Sequence, residues 1–76
     1  MSAKFNLYGT EGCHLCEDAL AMCEQVMPEA NINVVDIIDD EKLVELYRIS
    51  IPVLERLSDQ AKLFWPFEQK QILELL

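Results

Sequence analysis

The feature that most constrains this chain is Cys13-His14-Leu15-Cys16, set between the apolar run Phe5-Asn6-Leu7-Tyr8 and an amphipathic segment that continues to about Met27. A strand that delivers two cysteines to the first turn of a helix leaves few alternatives. With two residues between them, one sulfur sits at the helix end and the other lies a turn further in. The outer sulfur meets unpaired backbone N–H groups and the positive end of the helix dipole, both of which favour thiolate over thiol. The inner sulfur is close enough to close a disulfide. The pair therefore reads as a dithiol that cycles between reduced and oxidised forms.

The same spacing leaves two other readings open. The pair could be half of a zinc site, but structural zinc normally takes four ligands. The remaining soft donors are only His14 and Cys23, and His14 lies between the cysteines, where it is poorly placed to reach the same ion. A metal ion or cluster shared between two chains would supply the missing ligands. A purely stabilising disulfide is the weaker alternative, because the entropic benefit of a crosslink grows with loop length and this loop is very short. Cys23 falls two turns after Cys16 on the apolar stripe, where a free cysteine reads as a small core residue rather than a third redox sulfur.

A chain of 76 residues makes one small domain, 1–76, and 51% hydrophobic residues let it build a core without crosslinks. The odd count of three cysteines argues against a secreted disulfide scaffold. Met1-Ser2-Ala3-Lys4 runs straight into the first strand without the apolar stretch of a signal peptide, and no segment is long enough to span a bilayer. These features lead us to expect a soluble, cytoplasmic protein. Its 14 acids against 6 bases give a net charge of −8. Such a charge repels phosphate backbones and anionic lipid, so neither nucleic acid nor a membrane is expected as a partner.

Taken in order, Lys4 to Gly9 reads as the first strand and Gly9-Thr10-Glu11-Gly12 as the loop into the dithiol. Cys16, Ala19, Leu20, Cys23, Val26 and Met27 then fall on one helical face, and Pro28 ends that helix. Glu17 and Asp18 in its first turn complement the dipole but oppose ionisation of a neighbouring thiol, while a protonated His14 would favour it. Asn31 to Ile38, rich in β-branched residues, predicts a second strand covered on both faces. Asp39 and Asp40 are expected to cap a helix running to about Arg48, with Leu43, Leu46 and Tyr47 inward. Asp36, Asp39, Asp40 and Glu41 read as capping and solvated turn, since no loop of ligand-spaced oxygens accompanies them. Ile51-Pro52-Val53-Leu54 is the third strand, Ser58-Asp59-Gln60 a hairpin turn and Ala61 to Trp65 the fourth strand. Pro66 is placed to open a last helix with Ile72, Leu73 and Leu76 as its inner stripe.

This order, with Cys13-x-x-Cys16 on a helix and an apolar residue before Pro52 at a strand start, resembles the thioredoxin fold. The compact size resembles its glutaredoxin branch. The runs Leu7-Tyr8-Gly9-Thr10, Cys13 through Ala19, Ile51-Pro52-Val53-Leu54 and Trp65-Pro66-Phe67 are similar to small glutaredoxin-like proteins of bacteria over essentially the whole chain. The resemblance implies an α/β fold of topology βαβαββα, with three helices and a four-stranded mixed sheet in the order 2-1-3-4. It implies a thiol–disulfide oxidoreductase with Cys13 as attacking thiolate and Cys16 as resolving thiol. His14, Ile51, Pro52 and Trp65 would face the substrate. Pro52 would follow a cis peptide, leaving the backbone of Ile51 toward the dithiol. The third strand would run against the first and bring Ile51-Pro52 and the Trp65-Pro66 corner to the dithiol end.

Two departures from the family pattern bear on the substrate. Thr10-Glu11-Gly12 stands where glutaredoxins usually carry a basic residue. Trp65-Pro66-Phe67-Glu68 stands where they usually carry a Gly-Gly turn followed by an acid. Both count against glutathione, itself an anion. The expectation is a monomer without a resident cofactor, acting on a disulfide-containing protein or small thiol, and on protein disulfides in preference to glutathione. A metal- or cluster-binding or protein-interaction module of the same fold, without turnover, is the rival reading.

Overall fold

In this computed structural model, which describes residues 3–76 and so leaves Met1 and Ser2 of the N-terminal run outside, the sheet is built around its first strand. β1 (Phe5–Gly9) pairs in parallel with β2 (Ile32–Asp36), Leu7 opposite Val34. On its other side it pairs antiparallel with β3 (Val53–Arg56), Leu7 opposite Leu54, and β4 (Ala61–Phe64) completes a mixed sheet in the order β2-β1-β3-β4. The helices are α1 (His14–Glu24), α2 (Glu41–Tyr47) and α3 (Gln69–Leu75). Element order and sheet order are those of the thioredoxin-like fold that the sequence predicts.

Alternation along β1 divides the core in two, because successive side chains of a strand point to opposite faces. Phe5 and Leu7 join Ala19, Cys23, Met27, Leu54, Phe67 and Ile72 beneath α1 and α3. Tyr8 points the other way, to Ile37, Tyr47 and Val53 beneath α2. Tyr8 and Tyr47 stack there with ring centroids 4.9 Å apart. The Tyr8 hydroxyl donates to a carboxylate oxygen of Glu55, a buried acid only 7% exposed, whose other oxygen lies 3.6 Å from Lys62 Nζ. Burial and this carboxylate raise the Tyr8 pKa above its ordinary value. Tyr8→Phe leaves Glu55 with Lys62 alone, and is expected to cost about 1.5–3 kcal/mol, the range for a hydrogen bond to a charged group. Urea unfolding measures this; Glu55→Gln, which keeps an acceptor for the phenol, should cost less.

Several boundaries differ from expectation. Helix α1 stops at Glu24 rather than near Met27, yet Met27 stays buried in the turn that follows. Strand β2 begins at Ile32 and ends at Asp36, whose carboxylate accepts the Ile38 N–H at 3.0 Å and starts the 3-10 turn Ile37–Asp39. It is not covered on both faces: it is an edge strand, and Val34 is 59% exposed. Asp40 alone caps α2, through the Lys42 N–H at 2.9 Å; Asp39 belongs to the preceding turn. Leu46 points outward, because a helix of seven residues covers the sheet with little more than Tyr47, Leu43 and Val44.

The C-terminal third departs in the same way. Strand β3 begins after Pro52, at Val53, and extends to Arg56. Strand β4 ends at Phe64, one residue before Trp65. Helix α3 begins not at Pro66 but after Glu68, where a reciprocal capping box pairs the Glu68 N–H with the Gln71 side chain and the Gln71 N–H with the Glu68 side chain. That start turns Phe67 and Ile72 into the core and leaves Leu73 and Leu76 exposed. The Ile51–Pro52 and Trp65–Pro66 peptide bonds are both cis.

Candidate active site

Cys13 is the N-cap of α1, with extended backbone, and its Sγ accepts the backbone N–H of Cys16 at 3.1 Å. Its carbonyl takes the Glu17 N–H at 3.1 Å, beginning the helix. Cys13 and Cys16 are joined as a disulfide, with their Cα atoms 5.2 Å apart. Reduction of that bond would leave an N-cap sulfur already facing a helix N–H, the environment that stabilises a thiolate. The scaffold behind the pair is packed into the core: Ala19 and Cys23, one and two turns after Cys16, are wholly buried.

Gly9, the last residue of β1, is what lets the inner sulfur sit where it does. A Cβ at this position would lie 2.9 Å from Cys16 Sγ and 3.0 Å from Cys16 Cβ. Gly12, at the other end of the loop, adopts φ +79°, a conformation that glycine takes at little cost.

Beside the dithiol, between the first half of α1 and the edge strand β2, runs an open groove of about 250 Å³. Leu7, Leu20 and Val34 line it, together with Cys13 and Cys16. Its charged lining residues are Glu11, Glu17 and Asp36, all acids. Residues read singly do not reveal this groove: Glu17 and Asp36 each read as a helix-dipole or capping acid, and Glu11 as part of a loop. The available signal was the alternation Ile32, Val34, Asp36 on a strand that the 2-1-3-4 order places at the edge.

The other residues named from sequence are arranged differently. His14 is almost fully solvated, with Nδ1 3.6 Å from a Glu17 carboxylate oxygen, and does not line the groove. Ile51 and Pro52 lie at the dithiol end of the sheet, since Val53 pairs with Tyr8. Trp65 is tied to them by its N–H on the Pro52 carbonyl at 3.2 Å and packs edge-on against Phe67, 5.1 Å away. These three belong to the β3 side of the sheet and do not line the groove, which opens on the β2 side. The Ile51 N–H is donated to the Tyr47 carbonyl at 3.0 Å. Cys23 sits apart in the core; burial, reinforced by Glu24, pushes its thiol up to about 11, and it stays protonated at neutral pH.

Among the described residues, no three His, Cys, Asp or Glu side chains converge as a metal site, and no helix is long and apolar enough to cross a membrane. Residues 4–76 match the family described as Glutaredoxin-like domain (DUF836). The solution structure of protein Ne2328 from Nitrosomonas europaea is similar over 100% of this chain and 93% of its own, at 29% identity and a TM-score of 0.82. The X-ray structure of XcR50 from X. campestris is 31% identical over 90% of this chain and 88% of its own, with a TM-score of 0.70. Its solution structure gives 30% identity and 0.71, over 91% and 86%. No curated protein matches the chain.

Proposed function

The chain belongs to the Glutaredoxin-like domain (DUF836) family, and from that premise we propose that it is a thiol–disulfide oxidoreductase working through Cys13 and Cys16. The observation that carries this reading is the Cys13–Cys16 disulfide at the start of α1, with the Cys13 sulfur on a helix N–H. In the reduced protein, the Cys13 thiolate attacks one sulfur of a substrate disulfide and expels the other as a thiolate, which takes up a proton. Cys16 then loses its proton and attacks Cys13 Sγ, releasing the second substrate thiol and closing the Cys13–Cys16 bond. Two electrons pass from the dithiol to the substrate, with one proton coming from Cys16 and the other from solvent.

On this reading the chain works as a cytoplasmic monomer without a resident cofactor, and protein disulfides are better substrates than glutathione. Glu11 and the absence of a basic residue in the loop before Cys13 support that preference. So does Trp65, half-buried and held edge-on against the core residue Phe67; its remaining apolar face suits an extended peptide that the Ile51 carbonyl would meet through the backbone. Reduction of a glutathione mixed disulfide is expected to be slower than that of a protein disulfide by about tenfold or more. It should quicken as salt screens the repulsion between two anions. Stopped-flow rates at rising ionic strength measure both, and a fast glutathione reaction indifferent to salt would remove the preference.

A further inference from the structure

The groove on the β2 side of the dithiol combines three properties. It reaches Cys13, where any substrate sulfur must arrive on the proposed mechanism. Its floor is apolar, with Leu20 and the exposed Val34, and its charged lining residues are the acids Glu11, Glu17 and Asp36. Its volume of about 250 Å³ lies below the range of roughly 300–1,000 Å³ usual for pockets that enclose a whole small molecule. A groove of this size receives side chains of a polypeptide that passes across it. His14 stands over Glu17 in solvent and outside the lining, and one Asp36 oxygen is engaged by the Ile38 N–H, but neither brings a lysine or arginine to the groove.

We propose that this groove selects the substrate: it takes a polypeptide segment in which an apolar side chain and a lysine or arginine flank the cysteine of the target disulfide. The apolar side chain lies against Leu20 and Val34, and the base lies among Glu11, Glu17 and Asp36. This deepens the oxidoreductase reading and rests on it. Three carboxylates beside a low-dielectric floor attract a cation more strongly than the same charges scattered over an open surface. The Ile51-Pro52 flank would still meet the backbone of the same segment on the other side of Cys13.

The probes are two synthetic peptides, each with one cysteine held as a mixed disulfide with thionitrobenzoate and a leucine beside it. One is flanked by lysines and the other by glutamates. The reduced protein should release thionitrobenzoate from the cationic peptide about tenfold or more faster at low salt, with the ratio falling toward one near 1 M salt. Val34→Lys places a cation in the groove at an exposed edge position that tolerates it. It should lower the ratio several-fold more than Leu73→Lys, which adds the same charge on exposed α3, away from the groove. Equal loss in the two variants would assign the preference to the net charge of −8 and overturn the groove. Equal rates for the two peptides would overturn this inference and leave the oxidoreductase reading standing. No reaction with either peptide would sink both.

Discussion

Cys13→Ser is expected to abolish reductase turnover, lowering it by more than about a thousandfold, because the reaction needs a thiolate and a serine hydroxyl neither ionises at neutral pH nor forms a disulfide. Cys16→Ser should behave in the opposite way. Its Cys13 still attacks, still sits at the N-cap, and still receives the backbone N–H of residue 16, since that donor is main chain. The second step is lost, so the mixed disulfide with substrate accumulates stoichiometrically. Mass spectrometry of the quenched reaction would show the protein carrying one substrate half, released again by added small thiol. The double contrast separates a redox pair from a pair that only holds a metal or braces a helix, since neither of those roles predicts a trapped adduct. Wild-type rates in both variants, against protein and small disulfides alike, would end the enzymatic reading.

Gly9→Ala should be the most disruptive one-carbon change near the site. The added methyl would stand 2.9 Å from Cys16 Sγ and 3.0 Å from Cys16 Cβ, and the second contact is on a helix that cannot swing away. Overpacking of this kind costs about 1–3 kcal/mol. The effect reaches function, because displacing a reacting atom by around 1 Å can cost on the order of a hundredfold in rate. The resolving step, which uses Cys16, should slow more than the first attack, so the mixed disulfide appears transiently where the wild type shows none. In a Cys16→Ala background part of the stability cost should vanish, giving a favourable coupling in a double-mutant cycle of unfolding free energies. An unaltered midpoint for Gly9→Ala, or no coupling, would mean that the strand end yields freely and glycine is not required there.

What could be read beforehand was what local chemistry decides. The Cys13-x-x-Cys16 pair announces a strand, a turn and a helix N-terminus in that order, and the structure has all three. The β-branched run after Asn31 announces a strand, but its burial depends on which neighbours the topology supplies. At the edge of the sheet Val34 faces the groove and solvent rather than a helix. Leu46, Leu73 and Leu76 follow a correct helical period and are exposed all the same, because α2 and α3 are seven residues each and bury one narrow stripe. The start of α3 was legible in Glu68-x-x-Gln71, a reciprocal cap that outweighs the preference of proline for a first helical position. Glu55 could not have been assigned to the interior from sequence. Its burial depends on a tyrosine two strand positions away on the adjacent strand and a lysine on the next. The groove, likewise, exists only once α1 and β2 are laid side by side.

The central place of β1 also sets the order in which a chain leaving the ribosome can complete its sheet. The strand is the first to be synthesised, and its parallel partner follows only with Ile32–Asp36. Its antiparallel partner arrives later still, with Val53–Arg56. Until Arg56 has emerged, Leu7 lacks Leu54 and one margin of β1 is unpaired, and α1 waits longer still for Phe67 and Ile72 to pack on. Nascent intermediates with open strand margins and uncovered apolar faces are the ones most exposed to mispairing. Cys13 and Cys16 are carried through that interval on an unfinished scaffold. The scaffold that positions them is complete only once the C-terminal ββα unit, which brings Leu54, Phe67 and Ile72, has docked.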